Sequence, residues 1–413
     1  MITRNRLLLR LLKPFASRLR DYMNAPVYDA VVKLFLPPPV PSSPLEINFL
    51  LHDSRGGYLR DMQPSADTLL SAGCSGLWYF EWIRRTYGPV RRHIGIEYYS
   101  PKPDGLPPEV EWIANTVSDM AGVSDAECDL VFSGQNLEHL WPEEVAGFLA
   151  EAARVTKPGG QLVIDSPNRL LTAPLNWSHP EHTVELTVDE ATELVRMAGF
   201  DVTKVVGIWL CRDPRTGRIL SFDPNVVDPE WTVIERVLAA RDNPQDSFIW
   251  WIEANRNSHP ADVAGLNARM QVIFAAAWPE RTRRMLVAAG TMVDRDGEDW
   301  VIAAAGHGGA VTYGPFMPLK PGRYRVSFMV DVPAGNANSV GRCEVITGDS
   351  NASSVGSTDI PFEFIAKGPR ILSVEFGLNR LEFGMQFRCI SNGQASFAVR
   401  RTVEILSLDL PPA

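Results

Sequence analysis

Two stretches decide the fold: residues 128–140, CDLVFSGQNLEHL, and residues 153–164, ARVTKPGGQLVI. In the first, the apolar run 129–133 has the length of a buried strand and stops at Ser-Gly. Helical spacing then runs from about 142 to 155. In the second stretch, Lys157 compensates the negative end of that helix and Gly159-Gly160 permit the reversal into a further strand, 161–165. This is one strand–helix–strand unit, and it repeats outward in both directions. Toward the amino terminus come expected strands at 68–72, 93–97 and 112–117, with a helix at 77–87. Toward the carboxyl terminus come a helix at 189–198, a strand at 201–211 and a Pro/Gly turn at 213–217 that suggests a closing antiparallel hairpin. Such alternation predicts a doubly wound α/β sheet over residues 45–222, with its ligand beyond the carboxyl ends of the strands.

Candidate site residues are therefore sought just after each strand. Gly73 and Gly76 follow the first, where a ligand can approach the backbone and the next helix turns its positive end outward. Glu97 follows the second, 24 positions beyond Gly73, near where an acid grips ribose hydroxyls; alone it also reads as a solvated carboxylate. Asp119, after the third, either accepts from an adenine amine or caps a turn.

Taken in order, "DLV…LEHL" followed by "RVTKPGG" resembles the class I S-adenosylmethionine-dependent methyltransferases over roughly residues 65–222. The resemblance implies S-adenosylmethionine as cofactor. It places Gly73, Cys74 and Gly76 in the cofactor loop, Glu97 at the ribose, Asp119 with Met120 at the adenine, and Ser133 beside the cofactor. Where that family carries an acid and a G-x-G-x-G turn, this chain has Ser71, Ser75 and Leu77. Methyl transfer to an alcohol needs an aligned hydroxyl and a base. His139, Asp165 and His182 are the candidates, with Asn168, Trp177 and His179 in the same loop region. No metal is expected, because the His179-Pro-Glu-His182 segment offers only two nitrogens.

Residues 223–289 read as a helical segment in which Trp250 and Trp251 serve the core. From 290 to 413 short alternating runs between Gly/Pro/Asn turns predict an antiparallel β-sandwich. Its 313–326 stretch resembles accessory sandwich domains of bacterial polysaccharide-assembly enzymes, which makes Tyr313, Phe316 and Arg323 candidate glycan contacts. The expected activity is O-methylation of a sugar hydroxyl in a bacterial surface polysaccharide or its lipid-linked precursor. The alternatives are a glycan-binding scaffold with a decayed methyltransferase domain, or a small-molecule methyltransferase.

Charge sharpens the organisation. The 413 residues carry a net charge of −9, but residues 1–44 hold +5, leaving −14 on the body. An acidic body excludes duplex nucleic acid as a natural partner. In residues 1–23, Leu7, Leu8, Leu11, Leu12, Phe15, Leu19 and Tyr22 share one helical arc opposite Arg6, Arg10, Lys13 and Arg20. That stripe suits either peripheral contact with an anionic membrane or packing on protein. Five prolines in residues 36–44 make a stiff spacer. No run approaches 18 uninterrupted apolar residues, and five cysteines without a CxxC pair favour a reducing compartment. The expected location is cytoplasmic, at the inner face of the membrane where the terminus holds it. Oligomeric state is not legible.

Overall fold

The computed structural model describes residues 45–62, 65–175, 179, 182–282, 285–332, 339–347, 353–361 and 368–408. The amphipathic terminus and Trp177 lie outside the described residues. Residues 45–50 and 223–226 form a small unit of their own, in which the Leu45 backbone N–H donates to Asn225 Oδ1 and Asn225 Nδ2 donates back to the Leu45 carbonyl.

The larger unit contains a sheet of seven strands: β1 (Thr68–Ala72), β2 (Arg92–Ile96), β3 (Val110–Ile113), β4 (Cys128–Gly134), β5 (Thr156–Pro167), β6 (Phe200–Leu210) and β7 (Ser247–Arg256). Their order across the sheet is β3-β2-β1-β4-β5-β7-β6. The first five run parallel, and β7 enters antiparallel between β5 and β6. Helices α1 (Ile47–Asp61), α2 (Leu77–Thr86), α3 (Pro142–Val155), α4 (Arg169–Leu175), α5 (Val188–Met197), α6 (Val233–Asp242) and α7 (Val263–Thr282) accompany it. Several starts are written in the chain. Thr187 Oγ1 accepts from Glu190 N while Glu190 Oε2 accepts from Thr187 N, and Thr232 with Glu235 repeats that capping box. Pro142 opens α3 with Glu143 and Glu144 in its first turn.

Three expectations are corrected. Residues 247–255, read as helical, form β7, so the sheet extends to Arg256 rather than ending at 222. The run SFIWWIEANR is buried on both faces, and a continuous apolar stretch carries no alternation to mark it as a strand. Trp250 and Trp251 are fully buried there, in the core as expected. The 213–217 turn closes only an isolated bridge, Arg212 to Ile219. Lys157 does not act on the helix end alone: its Nζ lies 2.6 Å from Asp129 Oδ1, and Asp129 Oδ2 also accepts from Asp67 N and Thr68 N, stitching together the beginnings of β1, β4 and β5.

The carboxyl-terminal region is all antiparallel. One sheet holds β9 (Thr291–Arg295), β10 (Glu298–Ala303), β13 (Gly322–Asp331), β16 (Arg370–Leu378) and β18 (Phe397–Ser407), in the order β16-β13-β18-β10-β9. The other holds β8 (Leu286–Val287), β11 (Gly308–Tyr313), β14 (Ser339–Ile346), β15 (Ser354–Pro361) and β17 (Glu382–Asn392), in the order β15-β14-β17-β11-β8, with β12 (Pro315–Leu319) beside β17. In β13 Tyr324, Val326, Phe328 and Val330 point inward, meeting Cys343, Val345, Phe387 and Cys389 of β14 and β17 in one core. Helix α7 joins the two layers of the molecule: Leu266, Met270 and Ile273 belong to the core of the seven-stranded sheet, and Trp278 packs on that of the sandwich.

Candidate active site at the carboxyl ends of β1, β4 and β5

The turn after β1 has the backbone that close approach requires. Gly73 and Gly76 have φ of 77° and 81°, and a Cβ on Gly73 would sit 2.4 Å from Asn136 Oδ1. Gly73 N–H donates to Ile96 O at 3.0 Å, which fixes the turn against β2. Cys74 is fully buried, its thiol pushed up by burial and then by the Glu97 carboxylate. Leu77, where a glycine is usual, points away from the turn: it is 40% exposed and lines a surface groove with Phe80, Arg84 and Val110. Ser71, at the place of the usual acid, bonds His93 Nε2 at 2.8 Å inside the sheet.

Glu97 is half-buried after β2, and its Oε1 accepts from Tyr99 N (2.7 Å) and Ser100 N (2.9 Å). It therefore shapes its own loop while keeping Oε2 for another partner. Asp119 is exposed and its Oδ1 accepts from Ala121 N. Two residues assigned to the cofactor sit otherwise. Met120 is fully buried in the core, and Ser133, also fully buried, spends its hydroxyl on Ala72 O and Asn136 Nδ2.

One feature of this crevice has no motif in the sequence. Arg55, on α1, is 2% exposed, and its Nε donates to Asp165 Oδ2 at 3.0 Å. Its guanidinium lies 5.2 Å from the Trp82 ring centroid, and Nη1 faces His52 Nδ1 at 3.3 Å. Burial and Arg55 hold that imidazole below its ordinary pKa, and since a guanidinium only donates, Nδ1 is the acceptor of this contact. Nη2 is buried without a hydrogen-bond partner, beside Gly134, where a Cβ would lie 2.0 Å from it. Asp165 is thus not open to an acceptor. It is wholly buried and engaged twice, since Gln135 Nε2 also donates to its Oδ1 at 2.6 Å. Gln135 has φ of 55°, a left-handed backbone unusual for a side chain of this size, at the junction of β4 and the following turn.

A second cluster lies past the ends of β4 and β5. The 3₁₀ turn Leu137–His139 carries Glu138 and His139, and His182 arrives from the loop before α5. Thr183 N and Val184 N donate to Glu138 O, strapping that loop onto the turn. The rings of His139 and His182 meet edge to face at 4.9 Å, with His179 exposed beside them at 5.3 Å from His182. His182 Nδ1 faces Glu185 Oε1 at 2.5 Å, and Thr172 donates to Glu185 Oε2. Glu138 is 1% exposed; Oε2 accepts from Ser166, Oε1 has no hydrogen-bond partner, and burial raises its pKa to about 7. Asn168, expected to face the acceptor, instead holds the backbone carbonyls of Pro244, Gln245 and Ser247. In the sandwich, the Tyr313 and Phe316 rings meet at 5.9 Å and Arg323 is exposed.

Sequence reasoning brought together His139 and His182 but missed Arg55, Gln135, Glu138 and Glu185. The glycine at 134 was the one available signal, since it leaves room for a side chain from elsewhere. The crevice fits S-adenosylmethionine: a glycine turn for close backbone approach, a free carboxylate oxygen on Glu97 for a diol, and a buried donor without a partner on Arg55 for a carboxylate.

Comparison with known proteins agrees. Residues 70–164 match the family model of a methyltransferase domain. A probable S-adenosylmethionine-dependent methyltransferase of Mycolicibacterium smegmatis is 32% identical over 146 residues, covering 34% of this chain and 54% of its own length. A probable S-adenosylmethionine-dependent methyltransferase of Mycobacterium tuberculosis is 36% identical over 104 residues, 25% of this chain and 37% of its own. The solved S-adenosylmethionine-dependent methyltransferase of Archaeoglobus fulgidus aligns with 21% identity and a TM-score of 0.36, over 50% of this chain and 94% of that one. The chain thus spans about half the length of the first relative and less of the second. Its α/β region has the Rossmann-like sheet of S-adenosylmethionine-dependent methyltransferases and their sequence over residues 70–164, with S-adenosylmethionine as the cofactor.

Proposed function

We propose that the protein methylates a hydroxyl group, of a sugar in a bacterial surface polysaccharide or its lipid-linked precursor. The observation that carries the hydroxyl is the Glu138–His139–His182 cluster, a set of proton-handling groups at the acceptor end of the sheet. When bound, S-adenosylmethionine supplies an electrophilic methyl group on a sulfonium. Arg55 Nη2 would hold the carboxylate of its amino-acid end, and Glu97 Oε2 would take a ribose hydroxyl. The cluster would take the proton from the acceptor oxygen, leaving that oxygen able to accept the methyl group that the sulfonium would give up. The carboxyl-terminal sandwich supports a polymeric acceptor, since such modules suit retention of extended chains.

The test is transfer of labelled methyl from S-adenosylmethionine to purified polysaccharide fractions, followed by hydrolysis. Label recovered as an O-methyl sugar is expected; label on nitrogen or on small molecules alone refutes the reading. Ser71, Ser75 and Leu77 favour the second reading, a glycan-binding scaffold without turnover, and glycan binding without cofactor binding in calorimetry decides for it.

A further inference from the structure

We propose that Glu138, His139 and His182 form a binding site for one divalent transition-metal ion of the zinc or manganese class. One carboxylate oxygen and one nitrogen from each ring lie within 4.8 Å of one another. A tetrahedral ion with bonds of about 2.1 Å sets its donors about 3.4 Å apart, so closure asks for shifts on the order of 1 Å, within reach of side-chain rotation.

Two further observations point to a ligand. Glu138 is almost wholly buried, yet its Oε1 has no hydrogen-bond partner among the described residues, a costly arrangement that a cation relieves. His182 is already oriented as a metal ligand is. Its Nδ1 is engaged by Glu185, whose other oxygen is held by Thr172, so Nε2 is left for the cluster. A carboxylate behind a histidine fixes ring and tautomer and raises the basicity of the coordinating nitrogen.

The scaffold is prepared as well. The ligands come from two segments more than forty residues apart, joined by backbone bonds from Thr183 and Val184 to Glu138 O and by Thr183 Oγ1 to His139 O. Two imidazoles and one carboxylate suit zinc or manganese better than magnesium or calcium, which take oxygen. Three protein donors leave a coordination position open, as catalytic sites do. On the reading of the site given above, that position receives the acceptor hydroxyl. The ion would lower the pKa of that hydroxyl, so that the cluster supplies the activation through the metal and the proton leaves to water rather than to an imidazole.

The test uses the full chain, stripped with a chelator and titrated separately with Zn²⁺ and Mn²⁺ alone. One equivalent per chain is expected, with imidazole-nitrogen modulation in the electron spin echo of bound Mn²⁺. Glu138→Gln and His182→Gln should each weaken binding at least 100-fold, Glu185→Gln about 10- to 100-fold, and His179→Gln should leave it unchanged. Circular dichroism melting confirms that each variant is folded. Substoichiometric binding, no nitrogen modulation, or wild-type affinity in the Glu138→Gln and His182→Gln proteins overturns the site. Full methyl transfer by the metal-free protein overturns the ion's role while leaving the proposed reaction standing. S-adenosylmethionine affinity, measured without metal, reports on that reaction independently.

Discussion

Arg55 pairs with Asp165 and is proposed to hold the cofactor carboxylate, and these two roles can be separated. Replacing it by Met leaves Asp165 buried with no countercharge. Breaking a buried pair from one side costs about 3–5 kcal/mol, so R55M alone should melt early and prove little. Combining R55M with D165N removes both charges and should restore much of the stability, while the amide oxygen introduced at position 165 still accepts from Gln135. In that double variant the remaining defect is the lost donor at Nη2. A hydrogen bond between charged partners contributes about 1.5–3 kcal/mol, which is a loss of about 10- to 100-fold in affinity. Calorimetry with S-adenosylhomocysteine should show this loss, whereas methylthioadenosine, which lacks the amino-acid carboxylate, should bind the double variant as it binds the wild type. If both ligands weaken equally, Arg55 only builds the crevice. If neither weakens, the carboxylate lies elsewhere and the assignment is wrong.

Two further outcomes are expected. His93 is 3% exposed and burial depresses its pKa to about 4. Above pH 6.5 both folded and unfolded chains hold it neutral. As pH falls from 6.5 to 4 only the unfolded chain takes up the proton, so the fold loses about 3 kcal/mol across that window. Urea unfolding at pH 7 and 4.5 should show a smaller difference in His93→Gln than in wild type, and equal differences would exclude the buried imidazole as the cause. Deleting residues 1–36 should lower binding to anionic vesicles and spare cofactor affinity, because the basic arc contributes about 1 kcal/mol per charge near such a surface; loss of a dimer with vesicle binding unchanged would make that segment a packing element.

The central strands were legible because physics gives them sharp ends. β1, β4 and β5 are apolar runs punctuated by glycine, serine or proline, and the intervening helix at Pro142–Val155 begins on a proline with two acids behind it. β7 was hidden by its depth in the sheet: a strand covered on both faces loses the alternation that distinguishes it from a buried helix. The site divides in the same way. Turn glycines and the residues following strands are local signals, and they singled out Gly73, Glu97 and His139, which lie just past β1, β2 and β4. Arg55 meets Asp165 across 110 positions, and nothing near either residue announces the other. Burial misled in one consistent direction. Ser133, Asp165, Asn168 and Met120 occupy the ends of strands and loops where ligands sit, but their polar atoms or side chains are consumed in building the floor beneath.

The sandwich is bound to both sides of this site. On the cofactor side, the loop that Glu97 organises places the Tyr99 ring 6.4 Å from that of Phe383 on β17. On the acceptor side, Trp141, two residues past His139, packs between Phe274 and Trp278 of α7 and Lys320 of the sandwich. Lys320 also pairs with Glu143 at the start of α3. Removing residues 290–413 therefore does more than discard the surface proposed to hold glycan. It strips the Phe383 ring from the loop that bears Glu97 and the Lys320 contacts from Trp141 and Glu143, so a truncated chain can lose activity on every acceptor, long or short. Retention of a polymer is separated from bracing by substitutions at Tyr313, Phe316 and Arg323, which leave Phe383, Lys320 and α7 in place. Loss confined to long acceptors in those variants assigns the sandwich to the substrate; loss on none of them leaves it the frame on which the two halves of the site are held.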